Sequence, residues 1–124
     1  EYVQRGFYPL DRYWASGSPM PGLLTDYWSA RFEGRFYFTL ADYDFHAQSD
    51  DGVRVYIDNI LIVDAWFDGY VDRSNRFNQV GDGYHTIRVD YYDRTGNAYV
   101  RVWWSYAGNP TPIPGPIPPP PTPY

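Results

Sequence analysis

The stretch Ser49–Asp64, SDDGVRVYIDNILIVD, constrains the fold more than any other part of the chain. Val53, Val55 and Ile57 alternate with polar residues, so they occupy one face of an extended strand. The pair Asp58-Asn59 interrupts this alternation, and a second apolar run follows directly. Period-two alternation broken by such a pair predicts a β-hairpin.

The same pattern recurs along much of the chain. Strands are predicted at Tyr27–Phe32, Arg35–Leu40, Tyr43–Gln48, Val53–Asp58, Ile60–Asp64, Arg76–Val80, Tyr84–Tyr92 and Ala98–Tyr106. Turn residues separate them, including Glu33-Gly34, Asp68-Gly69, Gly81-Asp82-Gly83 and Arg94–Asn97. Many short strands at this spacing predict an all-β fold, an antiparallel β-sandwich or jelly-roll-like single domain.

Two adjacent acids, Asp50 and Asp51, precede Gly52 at the mouth of the predicted hairpin. Neighbouring carboxylates repel each other unless a cation joins them. Because Ca²⁺ prefers oxygen ligands, it is the natural candidate for this loop. The alternative is an acidic turn that is simply solvated.

Composition excludes several classes of function. The net charge of -5 argues against nucleic-acid binding, which needs a basic face. The chain has no cysteine, so it has neither disulfides nor thiolate chemistry. No apolar segment predicts membrane insertion. The two histidines, His46 and His85, both fall within strand patterns and complete no recognisable triad, so we expect no enzyme activity.

Three segments carry a family resemblance: TDYWSARFEGRFYFT, SDDGVRVYIDNILIVDAW and GDGYHTIRVDYYDRTGNAYVRVWW. Together they resemble the family named after the N-terminal domain of protective antigen, which includes the sugar-binding domains of yeast flocculins. The resemblance covers roughly Thr25 to Trp104. In sugar-binding members the acid pair is joined by a cis peptide bond and holds Ca²⁺, with positions open for sugar hydroxyls.

The resemblance implies that the loop from Asp64 to Asn78 supplies further ligands and any specificity. The expected metal ligands are Asp50, Asp51, Asp72 and Asn75. The expected carbohydrate-binding residues are Asp50, Asp51, Trp66 and Tyr70, whose rings offer stacking faces for a sugar. The alternative is a polar surface loop in which Trp66 is buried.

Composition divides the chain into an extended aromatic arm at residues 1–24, a β-sandwich domain at 25–107 and a Pro-rich tail at 108–124. The tail holds nine of the twelve prolines, which favours polyproline II. We expect the tail to bind an aromatic groove on another copy of the chain through Ile113, Ile117 and Tyr124. Thr111 and Thr122, each beside proline, fit O-glycosylation. The alternative is a linker or cell-wall stalk.

These features predict a non-catalytic extracellular or cell-surface module with a structural or adhesive role. We expect a subunit of a surface appendage or filament, with other copies of itself as partners, assembled through the tail and carrying Ca²⁺ on the acidic loop. The alternative is a Ca²⁺-dependent carbohydrate-binding module excised from a larger surface protein or enzyme, with glycans as partners.

Overall fold

The computed structural model describes residues 2–5, 10–15, 17–19 and 26–112, with backbone only for 2–5. The strands in these ranges are β1 (Tyr2–Arg5), β2 (Leu10–Ala15), β3 (Trp28–Phe38), β4 (Ala41–Asp50), β5 (Val53–Ile57), β6 (Ile60–Ala65), β7 (Tyr70–Val80), β8 (Gly83–Asp93) and β9 (Ala98–Gly108). They form a five-stranded sheet in the order β1-β3-β8-β5-β6 and a four-stranded sheet in the order β2-β9-β4-β7. The predicted all-β sandwich is confirmed.

Neighbouring strands pair antiparallel, except that β1 runs parallel to β3. In the four-stranded sheet β4 is flanked by β7 and β9 over nearly its whole length. Strand β4 therefore places its outward side chains between two other rows of side chains. This position matters for the site, because β4 ends at Asp50.

Alternation along each strand builds the core between the sheets. Strand β5 alternates strictly, with Val53, Val55 and Ile57 buried and the residues between them half-exposed. The aromatic part of the core joins both sheets: the Trp14 ring lies 5.0 Å from Trp28 and 5.8 Å from Tyr91. Burial of these large rings is the main stabilising contribution available to a chain without disulfides.

The predicted hairpin turn at Asp58-Asn59 is present, with φ of 47° and 66° at the two residues. Both values lie in the left-handed region required at a two-residue turn, where Asp and Asn are tolerated. The Thr86 N–H donates to Asp58 Oδ1 at 2.9 Å, and His85 Nδ1 lies 2.5 Å from Asp58 Oδ2. The turn is thus tied to β8.

Several strand boundaries predicted from the sequence are wrong. Residues 28–38 form one strand, because Glu33 and Gly34 continue the ladder opposite Arg88 and Ile87 instead of turning. Strand β7 begins at Tyr70, so most of the expected binding loop is strand. The arm predicted at residues 1–24 supplies β1 and β2.

Across the described ranges, no helix is long and apolar enough to cross a membrane.

Candidate functional site

The acid pair lies where the chain crosses between the two sheets. Asp50 ends β4 in the four-stranded sheet, and Val53 begins β5 in the five-stranded sheet. The Asp50-Asp51 peptide bond is cis, as the resemblance implied. Gly52 is buried, and a Cβ there would lie 2.1 Å from a ring carbon of Tyr92. Glycine is therefore required by the close approach of the Tyr92 ring.

The Asp51 carboxylate holds this crossover together. It is buried, and its Oδ1 accepts a hydrogen bond from the Gly69 N–H at 2.8 Å. Its Oδ2 accepts from the Arg94 N–H at 2.7 Å, and the Ser49 hydroxyl donates to its backbone carbonyl at 2.7 Å. Asp51 thus joins three loops, those before β5, β7 and β9. We call these three loops, with their acidic residues, the acid loop cluster.

Unlike Asp51, Asp93 at the end of β8 has a carboxylate that accepts no hydrogen bond from the described residues. Its side chain is fully buried, and neither carboxylate oxygen has a hydrogen-bond partner in the described structure. Burial, reinforced by the charges of Asp51, Asp26 and Asp50, raises the pKa of Asp93 to about 7. Burial and the neighbouring Asp51 raise the pKa of Asp50 to about 6. The acid loop cluster therefore holds more negative charge than its surroundings compensate.

An open cavity of about 310 Å³ adjoins Asp93. Its lining residues are Tyr27, Trp28, Ser29, Tyr92, Asp93 and Arg94. The Tyr92 hydroxyl donates to Asp68 Oδ1 at 2.8 Å, and Arg94 Nη1 lies 2.5 Å from Asp68 Oδ2. These contacts fix the wall of the cavity, which combines aromatic faces with polar groups.

The chemistry of the acid loop cluster fits a cation. The orphaned oxygens of Asp93 and the raised pKa of Asp50 both mark negative charge that a cation would neutralise. No three His, Cys, Asp or Glu side chains in the described ranges converge in metal-binding geometry. A cation here would consequently need backbone carbonyls or water as well, which Ca²⁺ accepts.

The other expected metal ligands lie along β7, Asp72 two positions and Asn75 five positions beyond Tyr70, which faces Asp50. Asp72 is exposed, faces Gln48 across the sheet and receives a long contact of 3.4 Å from the Tyr70 hydroxyl. Asn75 faces Phe45, five positions from the Asp50–Tyr70 pair, or about 17 Å along the strand. Its Nδ2 donates to the Ile62 carbonyl at 2.7 Å. The structure does not bring Asn75 to the acid pair.

The expected stacking residues are divided between two places. Trp66 is 39% exposed, with its ring 4.7 Å from the Tyr92 ring and the Arg54 guanidinium 4.8 Å above it. It is therefore neither buried nor fully open, and it supports the cavity wall. Tyr70 lies opposite Asp50 on the other side of the crossover and is exposed.

Hydrogen bonds to Asp42 and Gln79 hold Thr111, near the start of the predicted tail, against the domain. Buried Asp42 accepts from the Gln79 N–H, the Thr111 N–H and the Thr111 hydroxyl, and Gln79 Nε2 donates to the Thr111 carbonyl at 2.8 Å. The Thr111 hydroxyl expected to carry a sugar is therefore engaged with Asp42, although the residue itself is exposed. Ile113, Ile117, Thr122 and Tyr124 lie outside the described residues.

Sequence reasoning missed Asp93, Tyr92 and Arg94. In the sequence, YYDRTG is indistinguishable from a strand end followed by an ordinary polar turn. The available signal was the tyrosine pair before the acid, which indicates that the strand is buried up to Asp93.

The strands form a small all-β sandwich domain with the acid loop cluster at one crossover. The chain belongs to the PA14 domain family, whose sequence pattern matches residues 10–117. Over 98 residues it is 26% identical to anti-sigma-I factor RsgI3 of Acetivibrio thermocellus, covering 77% of this chain and 15% of that protein.

Two solved structures are similar over most of the chain. An anti-sigma factor domain-containing protein shows 26% identity and a TM-score of 0.72, over 89% of this chain and 42% of that one. Another, from Clostridium clariflavum, shows 28% identity and a TM-score of 0.70, over 83% and 37% of the two chains. The chain therefore spans less than half the length of each relative. PA14 domains and anti-sigma factor domains are non-catalytic, although PA14 domains also occur within glycosidases.

Two predictions are corrected by these comparisons. The attribution to the protective-antigen N-terminal domain and flocculin family is wrong, because the matching pattern is the PA14 domain and the similar structures are anti-sigma factor domain proteins. The filament-subunit function is also wrong, because the similar proteins are named as an anti-sigma-I factor and as anti-sigma factor domain-containing proteins. The alternative, a carbohydrate-binding module from a larger protein, agrees better with a PA14 domain.

Proposed function

We propose that this chain is a cation-dependent carbohydrate-binding module. The observation that carries the proposal is the buried, unpartnered carboxylate of Asp93 beside Asp50 and Asp51, at an open cavity. A buried carboxylate destabilises the folded state unless a cation or a hydrogen-bond donor joins it. The cavity is open to solvent and Asp93 is one of its lining residues, with both carboxylate oxygens buried behind its surface.

The residues of the acid loop cluster would have separate roles. Asp93 and Asp50 would hold the cation, while Asp51 keeps the three loops in place through the Gly69 and Arg94 N–H groups. Bound Ca²⁺ would supply coordination positions for sugar hydroxyls. Tyr27 and Tyr92 would offer apolar ring faces, as expected for a site that combines a few polar groups with aromatic walls.

The larger protein would use this module as a sensor. The similar proteins are named anti-sigma factors, and the module accounts for a minor share of each of them. Polysaccharide binding by this domain would then control a sigma factor through other parts of the protein. Such a sensor would lie outside the cell or at its surface, where polysaccharides are found, and would bind its ligand without cleaving it.

Pull-down on insoluble cellulose, xylan, mannan and pectin tests the proposal. The buffer contains either excess chelator or Ca²⁺ at about 1 mM, a concentration that occupies weak extracellular sites. We expect binding to at least one polymer that is lost with chelator and lost in Asp93→Asn. The matched control is Asp64→Asn, which removes an exposed carboxylate that pairs with Arg54 and lies on β6, the edge strand of the same five-stranded sheet.

Thermal unfolding in chelator separates a ligand role of Asp93 from a structural one. No donor among the described residues stabilises the ionised Asp93 carboxylate, so Asp93→Asn should be at least as stable as the parent without metal, and Ca²⁺ should no longer stabilise it. The proposal would be contradicted if Asp93→Asn were clearly less stable than the parent in chelator. It would also be contradicted if the parent bound polysaccharide equally well with and without chelator.

A further inference from the structure

The outward surface of the four-stranded sheet carries a second feature that the acid loop cluster does not use. Cross-strand partners share a face, so the register aligns the outward side chains in rows. Asp50 faces Tyr99 on one side and Tyr70 on the other, and Tyr99 faces Tyr13 on β2. Three tyrosines thus stand in one row with the first acid of the pair.

The next row, two residues further along each strand and about 7 Å away, is polar. Here Gln48 lies between Asp72 and Arg101, and Arg101 faces Asp11. Arg101 Nε lies 3.1 Å from Asp11 Oδ1, which orients the guanidinium across the sheet. A guanidinium has five N–H donors, so a contact at Nε leaves the four N–H groups of the outer nitrogens to bond to other groups.

The two rows enclose a shallow cavity of about 340 Å³. Its lining residues are Tyr13, Gln48, Tyr70, Tyr99 and Arg101. The Tyr13 ring is 66% exposed and the Tyr70 ring 61% exposed. Open aromatic faces around amide and guanidinium donors are the composition expected of a site for a ligand with both apolar and hydroxyl-bearing surfaces.

Charge narrows the class of ligand. The cavity contains one cation, Arg101, while the carboxylates of Asp11, Asp50 and Asp72 surround it. Negative charge therefore exceeds positive charge, and Asp11 already neutralises Arg101 at 3.1 Å. An anionic polymer would be repelled, whereas a neutral one with many hydroxyl groups would not.

We infer that this cavity is a second subsite for a neutral polysaccharide, continuous with the acid loop cluster through Asp50. The inference rests on the proposed function and extends it, because the module then binds a chain of several sugar units lying across the sheet. Tyr13, Tyr70 and Tyr99 stack on successive ring faces, and Gln48 and Arg101 bond to hydroxyl groups. Subsites beyond the cation add affinity only for ligands long enough to reach them.

Titration with neutral cello-, xylo- and manno-oligosaccharides of one to six units, in Ca²⁺, tests this subsite. Affinity should increase with length, and the double variant Tyr13→Ala/Tyr70→Ala should weaken binding of the longest oligosaccharide by about tenfold. Its affinity for the monosaccharide should stay within about twofold of the parent. The matched control is Tyr84→Ala, which removes a ring that is 64% exposed on the other sheet.

The possible outcomes distinguish failure of the second subsite from failure of the proposed function. Affinity independent of length, or an equal loss in the tyrosine variant and the Tyr84→Ala control, overturns the second subsite while the proposed function stands. Tighter binding of an oligogalacturonate than of every neutral series overturns the neutral-ligand assignment. If the parent binds neither these oligosaccharides nor any polymer in the pull-down, the proposed function fails and the subsite with it.

Discussion

Replacement of Gly52 by alanine tests how the acid loop cluster is packed. An alanine Cβ would lie 2.1, 2.8 and 2.9 Å from three carbons of the Tyr92 ring, whereas carbon atoms normally meet at about 3.5–4.0 Å. The ring must therefore move by more than about 1 Å. It cannot move freely, because its hydroxyl is bonded to Asp68 and its edge packs on Trp66.

Overpacking of this kind costs about 1–3 kcal/mol. For a chain of this size we expect Gly52→Ala to lower the melting temperature by roughly 4–12 °C. Urea unfolding followed by tryptophan fluorescence gives the free energy of unfolding directly. Polysaccharide binding should weaken as well, because Tyr92 lines the cavity at Asp93.

Gly81→Ala is the matched control. A Cβ at Gly81 would meet no atom within 4 Å, and its φ is not in the left-handed region. We expect this variant to be as stable as the parent or up to about 1 kcal/mol more stable, since alanine restricts the unfolded chain. If Gly52→Ala unfolds at the same urea concentration as Gly81→Ala, the packing argument is refuted.

Three further predictions concern buried or paired side chains. Asp51→Asn should lower the free energy of unfolding by about 1–3 kcal/mol even in chelator, because an amide can accept only one of the two backbone hydrogen bonds; urea unfolding checks this. Burial alone would lower the pKa of His85, but its bonds to Asp58 and a carbonyl outweigh this and raise it. The stabilisation from the charged imidazole is therefore complete below about pH 6.5 and is lost as the pH rises through the raised value, so melting temperatures should fall from pH 6 to 9 in the parent and less in His85→Gln. Thr111→Val should speed proteolytic removal of the tail, because it removes the hydroxyl that donates a hydrogen bond to Asp42. Thr111→Ser keeps a hydroxyl at this position and should be cleaved at the parent rate.

The core strands could be predicted because their alternation is strict. Strand β5 and the Asp58-Asn59 turn were both evident from sequence, since one face is buried and the turn needs two left-handed residues. Strand β7 was missed because it is an edge strand with polar residues on both faces over most of its length. Only Val71 and Val80 are fully buried there, so the period-two signal is too weak to distinguish strand from loop.

The candidate site was predictable only in part. Asp50 and Asp51 are adjacent in the sequence, so the pair can be recognised there. Asp93 lies on a different strand some forty positions later, and only the fold brings it close to the pair. Its burial depends on how β8 ends against the crossover, which no local pattern encodes. The row of Tyr13, Tyr99 and Tyr70 was hidden for a related reason: tyrosine in a strand fits a core or a surface equally well, and only the register shows that these rings share a face.

Two buried acids of the acid loop cluster, Asp51 and Asp93, are not equivalent. Asp51 has both oxygens satisfied by backbone N–H groups, so its charge stabilises the fold. Asp93 is as deeply buried but has no donor, so its charge opposes folding. Under the proposed function, the free energy that the buried Asp93 carboxylate costs in folding is recovered when a cation binds.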